Sequence, residues 1–136
     1  MAYYKKMKQK GDGKWHPRAV TLAEPATTDD VAERLTRMSS VTAGDVYAVL
    51  VNLGPVLAEL MNEGRSVRLK GVGTFFLTCS SQGAGVDSPE EVTSRQITAA
   101  RVRFIPEYSR GQHKQVTRRT LISPNIFWKD IDDIGR

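Results

Sequence analysis

The sequence predicts an α+β fold in which two helices come first, a sheet with a long ribbon follows, and a third helix closes the domain. Three observations carry this. Apolar residues recur at steps of three and four across residues 28–62, which is the helical period. Apolar and polar residues alternate in residues 66–70 and in residues 97–105, which is the strand period. Between those strands lies a polar, glycine-rich excursion, SSQGAGVDSPEEVTS at residues 80–94, which reads as the arm joining them. At 136 residues and 40% hydrophobic, the chain has room for one domain with decorations.

The decorations come first. Gly11-Asp12-Gly13 separates two runs that can form strands, and Asp-Gly between such runs is a hairpin signal. Pro17 makes the second run an edge strand or irregular at that point, because proline cannot donate to a sheet ladder. Glu24-Pro25-Ala26-Thr27 reads as a linker.

Thr28 opens the first helix, with Asp29 and Asp30 in the turn where the positive helix end favours acids. Val31, Leu35 and Met38 form its apolar stripe. Thr42 with Asp45 resembles a capping box at the start of the second helix. Val46, Leu50, Leu53, Leu57 and Leu60 follow at alternating steps of four and three, and Tyr47, Val51, Ala58 and Met61 widen that seam. So wide a stripe on a long helix of a small chain points to burial against a second subunit. Pro55 predicts a kink near residues 51–55, or a break with Pro55 opening a new helix. Gly64 is the C-terminal stop.

Residues 66–70 form a half-buried strand, Gly71-Val72-Gly73 a bend, and residues 74–78 a second strand. Residues 97–105 return from the arm with Ile97, Ala99, Arg101 and Arg103 on one face, and Pro106 ends the run. Arg68, Lys70, Arg101 and Arg103 are expected on paired strands. Residues 107–121 are expected as a basic third helix with Arg110, Lys114 and Arg118 along one face. Residues 123–128 read as a short strand or packed arm. The expected organisation is an N-terminal hairpin extension (1–27), a central domain (28–119) and a C-terminal tail packed on that domain (120–136).

The net charge of +5 is unevenly distributed. Residues 1–23 hold six Lys/Arg against one Asp, whereas residues 24–64 hold two Arg against seven acids. Residues 65–78 add Arg65, Arg68 and Lys70, and residues 101–119 add six more cations against Glu107 alone. Basic blocks flanking an acidic middle suit a polyanion such as nucleic acid. Several classes fall away. A single Cys79 excludes an internal disulfide framework and a cysteine-cluster metal site. His16 and His113 have no ligand-like spacing. No nucleophile–base pair, phosphate loop or paired-carboxylate motif stands out, so neither catalysis, metal, cofactor nor small-molecule substrate is expected. The first residues lack the apolar run of a signal peptide. The apolar stretch at residues 46–61 reads as short of a membrane span and contains Asn52, Gly54, Pro55 and Glu59, so a soluble, intracellular protein is expected.

Arg68-Leu69-Lys70-Gly71-Val72-Gly73-Thr74-Phe75, followed after the arm by Arg103-Phe104-Ile105-Pro106, resembles the bacterial histone-like DNA-binding family, HU and integration host factor. The resemblance spans about residues 28–119. The extra hairpin and tail resemble the extended HU-related proteins of Bacteroidetes. The resemblance implies an intertwined homodimer with a helical base, a β-sheet saddle and two ribbon arms reaching around the DNA minor groove, located in the cytoplasm with the nucleoid. It implies contacts to double-stranded DNA from Arg68, Lys70, Arg95, Arg101, Arg103, Arg110, Lys114, Arg118 and Arg119, mostly to phosphates. Phe75 and Phe104 read as core rather than as base-stacking residues. The arm departs from the family pattern. It carries Asp87, Glu90 and Glu91, with Arg95 as its only base, and Pro89 reads as a turn residue rather than as an intercalating wedge. A protein-assembly module on the same fold, with weak or lost DNA binding, is the alternative reading.

Overall fold

The computed structural model describes residues 1–81 and 83–135. Gln82, within the expected arm, and Arg136 lie outside the described residues. The fold is α+β, and the chain divides into two compact units. One comprises Met1–Thr27 with the segment from Ser123 onward, and the other comprises Thr28–Ile122.

The first unit is a three-stranded sheet. β1 (Ala2–Lys8) and β2 (Trp15–Val20) form the expected antiparallel hairpin, with Tyr3 opposite Val20 and Lys8 opposite Trp15. The turn is local chemistry. Asp12 accepts the Lys14 amide at 2.9 Å and meets His16 Nε2 at 2.8 Å, and Gly13 takes φ 67°, where a side chain would be strained. The third strand, β8 (Trp128–Asp130), runs parallel to β1, with Ala2 beside Trp128 and Tyr4 beside Asp130. The tail was expected on the central domain, but its strand completes the N-terminal sheet, with β1 as the middle strand. Asp130 is buried and salt-bridged to Lys6 Nζ at 3.0 Å. The Asp132 amide and Lys6 both hold its carboxyl below the usual carboxylate range, and Asp130 in turn raises the Lys6 ammonium.

In the second unit, α1 (Thr28–Met38) packs against α2 (Ala43–Asn62). Thr42 caps the helix, with its hydroxyl oxygen accepting the Asp45 amide at 3.3 Å, but the box is not reciprocal: Asp45 accepts the Thr42 hydroxyl at 2.8 Å rather than its backbone amide. Gly64, at φ 81°, follows the helix and donates to the Met61 carbonyl at 3.0 Å. α2 runs through Pro55 as one element, so the alternative of a second helix opening there does not hold. It is also longer than the apolar stretch suggested. At 20 residues it is long and apolar enough by length and composition to cross a membrane. Its extra length comes from the capped first turn, Ala43 to Asp45, and from Asn62 at the other end.

The packing of α1 corrects the expected stripe. Ala32 is buried, and Thr36 beside it is half-buried and donates to the Ala32 carbonyl at 2.8 Å. Val31, Leu35 and Met38 are exposed. Ala32 is thus the buried residue of α1, and its bulkier neighbours keep much of their surface in solvent. Along α2 the seam residues Val46, Leu50, Leu53, Leu57 and Leu60 are each half-buried, while Tyr47, Val49, Val51 and Val56 are exposed. Among the described residues only Ala32, 2% exposed, and Met61, 7% exposed, form a buried hydrophobic core.

The central sheet has the order β3 (Val67–Leu69), β4 (Gly73–Ser81), β5 (Ile97–Pro106), all antiparallel. The 3-10 turns Pro89–Glu91 and Ser94–Gln96 lie in the arm between β4 and β5. The expected third helix is absent. Its residues form a two-stranded hairpin, β6 (Tyr108–Arg110) with β7 (Val116–Arg119). The physical reason is local. Tyr108, Val116, Thr117 and Thr120 favour extended backbone, Gly111 donates to the Gln115 carbonyl at 2.8 Å, and Lys114 turns the chain at φ 63°. The regular spacing of cations had suggested a helix, but charged side chains in water carry no packing information.

Candidate functional site

The sheet separates its side chains by pairing register. Val67, Phe75 and Phe104 lie in one row, and Leu77 pairs with Val102 beside them, which makes this the apolar face. The Phe75 and Phe104 rings pack on each other with centroids 4.7 Å apart, but Phe75 is half-buried and Phe104 is exposed, so neither is the core residue expected. The other face carries Arg68 in a row with Thr74 and Ile105, then Arg103 opposite Phe76, then Arg101 opposite Thr78. Period-two alternation therefore brings Arg68, Arg101 and Arg103 to one face, and all three are exposed. Their strands do not pair as expected. β4 lies between β3 and β5, so Arg68 directly opposes neither Arg101 nor Arg103, and cross-strand repulsion among them is weakened.

Lys70 lies in the turn after β3 and is exposed. That turn is built around two glycines. Gly71 takes φ 82°. Gly73 is buried, and a Cβ there would lie 2.3 Å from the Ile105 carbonyl oxygen and 2.7 Å from the Phe104 ring. The sequence correctly singled out a tight bend, and the structure supplies the reason: β5 passes directly over Gly73.

The cations expected on a helix are distributed differently by the hairpin. Arg110 and Arg119 share the Tyr108 face, Arg118 lies opposite Ser109 on the other, and Lys114 occupies the turn. Arg110 is held in place. One guanidinium nitrogen donates to the Lys114 carbonyl at 2.6 Å, another to the Tyr108 hydroxyl at 3.2 Å, and the group lies 4.8 Å from the Tyr108 ring centroid. Arg95 sits in the 3-10 turn entering β5. All nine expected cations are exposed, and none forms an ion pair with a carboxylate among the described residues.

One functional neighbour was missed by the sequence reading. Glu107, the lone acid of the basic block, accepts the Gly71 amide at 3.0 Å and the Thr120 hydroxyl at 2.5 Å. Those hydrogen bonds, with Lys70 and Arg118 nearby, hold its carboxyl below the usual range. It lines a shallow cleft with Arg68, Gly73, Thr74, Tyr108 and Arg110. The signal available in the sequence was an isolated acid within a run of cations, immediately after Pro106. The arm acids Asp87, Glu90 and Glu91 are all exposed. Among the described residues, no cluster of three His, Cys, Asp or Glu could hold a metal ion.

The family HU-HIG, described as "HU domain fused to wHTH, Ig, or Glycine-rich motif", matches residues 2–119. A solved structure of a candidate bacterial DNA-binding protein from Bacteroides vulgatus ATCC 8482 shares the fold, with a TM-score of 0.51 and 14% sequence identity over 76% of this chain. The chain spans 41% of the length of that structure. No curated protein matches it.

Proposed function

Because the chain belongs to the HU-HIG family of HU domains, we propose that it is a non-enzymatic, architectural DNA-binding protein that acts as a homodimer. The observation that carries this reading is the exposed arginine face of the central sheet: Arg68, Arg101 and Arg103 together, with no carboxylate partner among the described residues. Unneutralised cations on a rigid sheet are suited to phosphates. Arg95, Lys70, Arg110, Lys114, Arg118 and Arg119 form a second tier, with Arg110 pre-set by its bonds to Tyr108 and Lys114. Contact with the minor groove is the mode of HU proteins as a class and comes with the family rather than with these distances. Binding through phosphates gives little sequence preference, and the setting is the bacterial nucleoid in the cytoplasm.

The homodimer reading rests on what the helices leave uncovered. Val31, Leu35 and Met38 of α1 and Val49, Val51 and Val56 of α2 are exposed, and apolar area of this kind marks an interaction surface. A chain with so small a buried core gains stability by burying those residues against a second copy.

The test is a duplex titration at several salt concentrations. Each phosphate contact releases counterions and contributes roughly −0.9 to the slope of log affinity against log salt. Arg103→Ala is expected to weaken binding to unrelated duplexes by similar factors and to flatten the slope by about one contact per subunit. Absence of binding to any duplex at about 50 mM salt, where electrostatic binding is strong, overturns the reading. The protein-assembly alternative then takes its place, favoured by the exposed acids Asp87, Glu90 and Glu91 on the arm.

A further inference from the structure

The chain's two tryptophans lie at opposite ends of its sequence, yet both lie on one face of the β2-β1-β8 sheet. Trp128 pairs beside Ala2, and Trp15 lies opposite Lys8. Residues 2, 4, 6 and 8 of β1 point to the same side, so Tyr4, Lys6 and Lys8 lie between or beside the two indoles. Trp15, Trp128, Tyr4, Lys6, Pro17 and Ala19 line a single groove. Trp15 is 67% exposed and Trp128 is 54% exposed. Two exposed indoles are costly to leave in water, which makes the face a binding surface rather than a neglected edge.

The surrounding charge selects the occupant. Lys8, on this face, and Lys10 and Lys14 beside the hairpin turn have no carboxylate partner among the described residues, while Lys6 is pinned by Asp130 and Asp132 at 3.0 and 3.8 Å. A second copy of the sheet would bring these cations against each other. A flexible polyanion carrying flat rings would neutralise the lysines and stack on the indoles together. From Trp128 to Trp15 the face runs along the whole of β1, about 20 Å at ~3.3 Å per residue, which is room for a short run of unpaired nucleotides.

We propose that the terminal sheet is a binding site for single-stranded nucleic acid, with bases stacked on Trp15, Tyr4 and Trp128 and phosphates met by Lys8 and the hairpin lysines. The site is independent of the arginine face of the central sheet. It would let one chain hold duplex and unpaired strand at once.

Tryptophan emission reports on this face directly, because both indoles of the chain are in it. The probe is an oligothymidylate of about 15 nucleotides, within the usual site size for such surfaces, titrated into the full chain at about 50 mM salt. Saturable quenching is expected. An oligomer of the same length lacking bases should bind at least about tenfold more weakly, since stacking is lost and charge is kept. Trp15→Leu, at an exposed position, should weaken oligothymidylate binding by about tenfold and leave duplex affinity unchanged. Arg103→Ala should do the reverse. Quenching that persists when duplex binding is absent would support this site while overturning the function proposed for the central sheet. Three results would overturn the site: no quenching, equal binding of the base-free oligomer, or an emission shift that follows protein concentration alone. The last would assign the face to a second copy.

Discussion

The Glu107 carboxylate accepts the Thr120 hydroxyl at 2.5 Å, across thirteen residues of chain, and so ties the end of the β6–β7 hairpin to the end of β5. Its other oxygen accepts the Gly71 amide at 3.0 Å, its backbone N–H donates to the Val72 carbonyl, and its carbonyl accepts the Thr120 amide. One acid thus joins the glycine turn, the central sheet and the hairpin that carries Arg110, Arg118 and Arg119. Those hydrogen bonds favour the ionised carboxylate, so Glu107 serves as a structural tie among the elements that carry the cations.

This tie predicts a pH dependence. The folded pKa of Glu107 lies below the ordinary value of 4.5, so its contribution to stability is complete above that value and is lost as pH falls through the lowered folded value. Glu107→Gln should lower the melting temperature at neutral pH. The gap to wild type should shrink as pH falls below about 4.5, where the unfolded carboxyl protonates. Thermal melts of both proteins from neutral to acid pH check this. A constant gap would mean that the carboxylate is not what the bonds require.

Gly73 should tolerate no side chain. An alanine Cβ would lie 2.3 Å from the Ile105 carbonyl oxygen, and backbone cannot swing aside as a side chain end can. Gly73→Ala should cost about 2 kcal/mol or more in urea unfolding, the scale of overpacking combined with backbone strain. Gly11→Ala, with open space around it, should cost far less.

The helices predict an assembly state. Val49 and Val56 are exposed on α2, at 66% and 48%. Val49→Glu with Val56→Glu should leave each chain helical and shift sedimentation from dimer to monomer, because two buried unpaired charges are costly. A wild type that sediments as a folded monomer at micromolar concentration would remove the homodimer from the proposed function.

The arm predicts a gain. If it lies along DNA, Asp87, Glu90 and Glu91 are repelled by phosphates. Replacing all three with Lys should tighten duplex binding and steepen its salt dependence. Fluorescence anisotropy at two salt concentrations decides this. An unchanged slope would place the arm away from DNA.

What the sequence determined by itself was local. The Thr42 cap, the hairpin turn at Asp12 and Gly13 and the stop at Gly64 each depend on residues within a few positions, so their chemistry is complete in the string. The shared face of Arg101 and Arg103 followed from the strand period alone. Tertiary structure decided what depended on distant partners. Trp128 finding Ala2, β4 separating Arg68 from Arg101 and Arg103, and the burial of Ala32 rather than Val31 are all packing outcomes. Residues 107–121 show the difference most plainly. Their cations at steps of four fitted a helix, but solvated charges pack against nothing. The β-forming Tyr108, Val116 and Thr117, together with the Glu107–Thr120 bond, set a hairpin in its place.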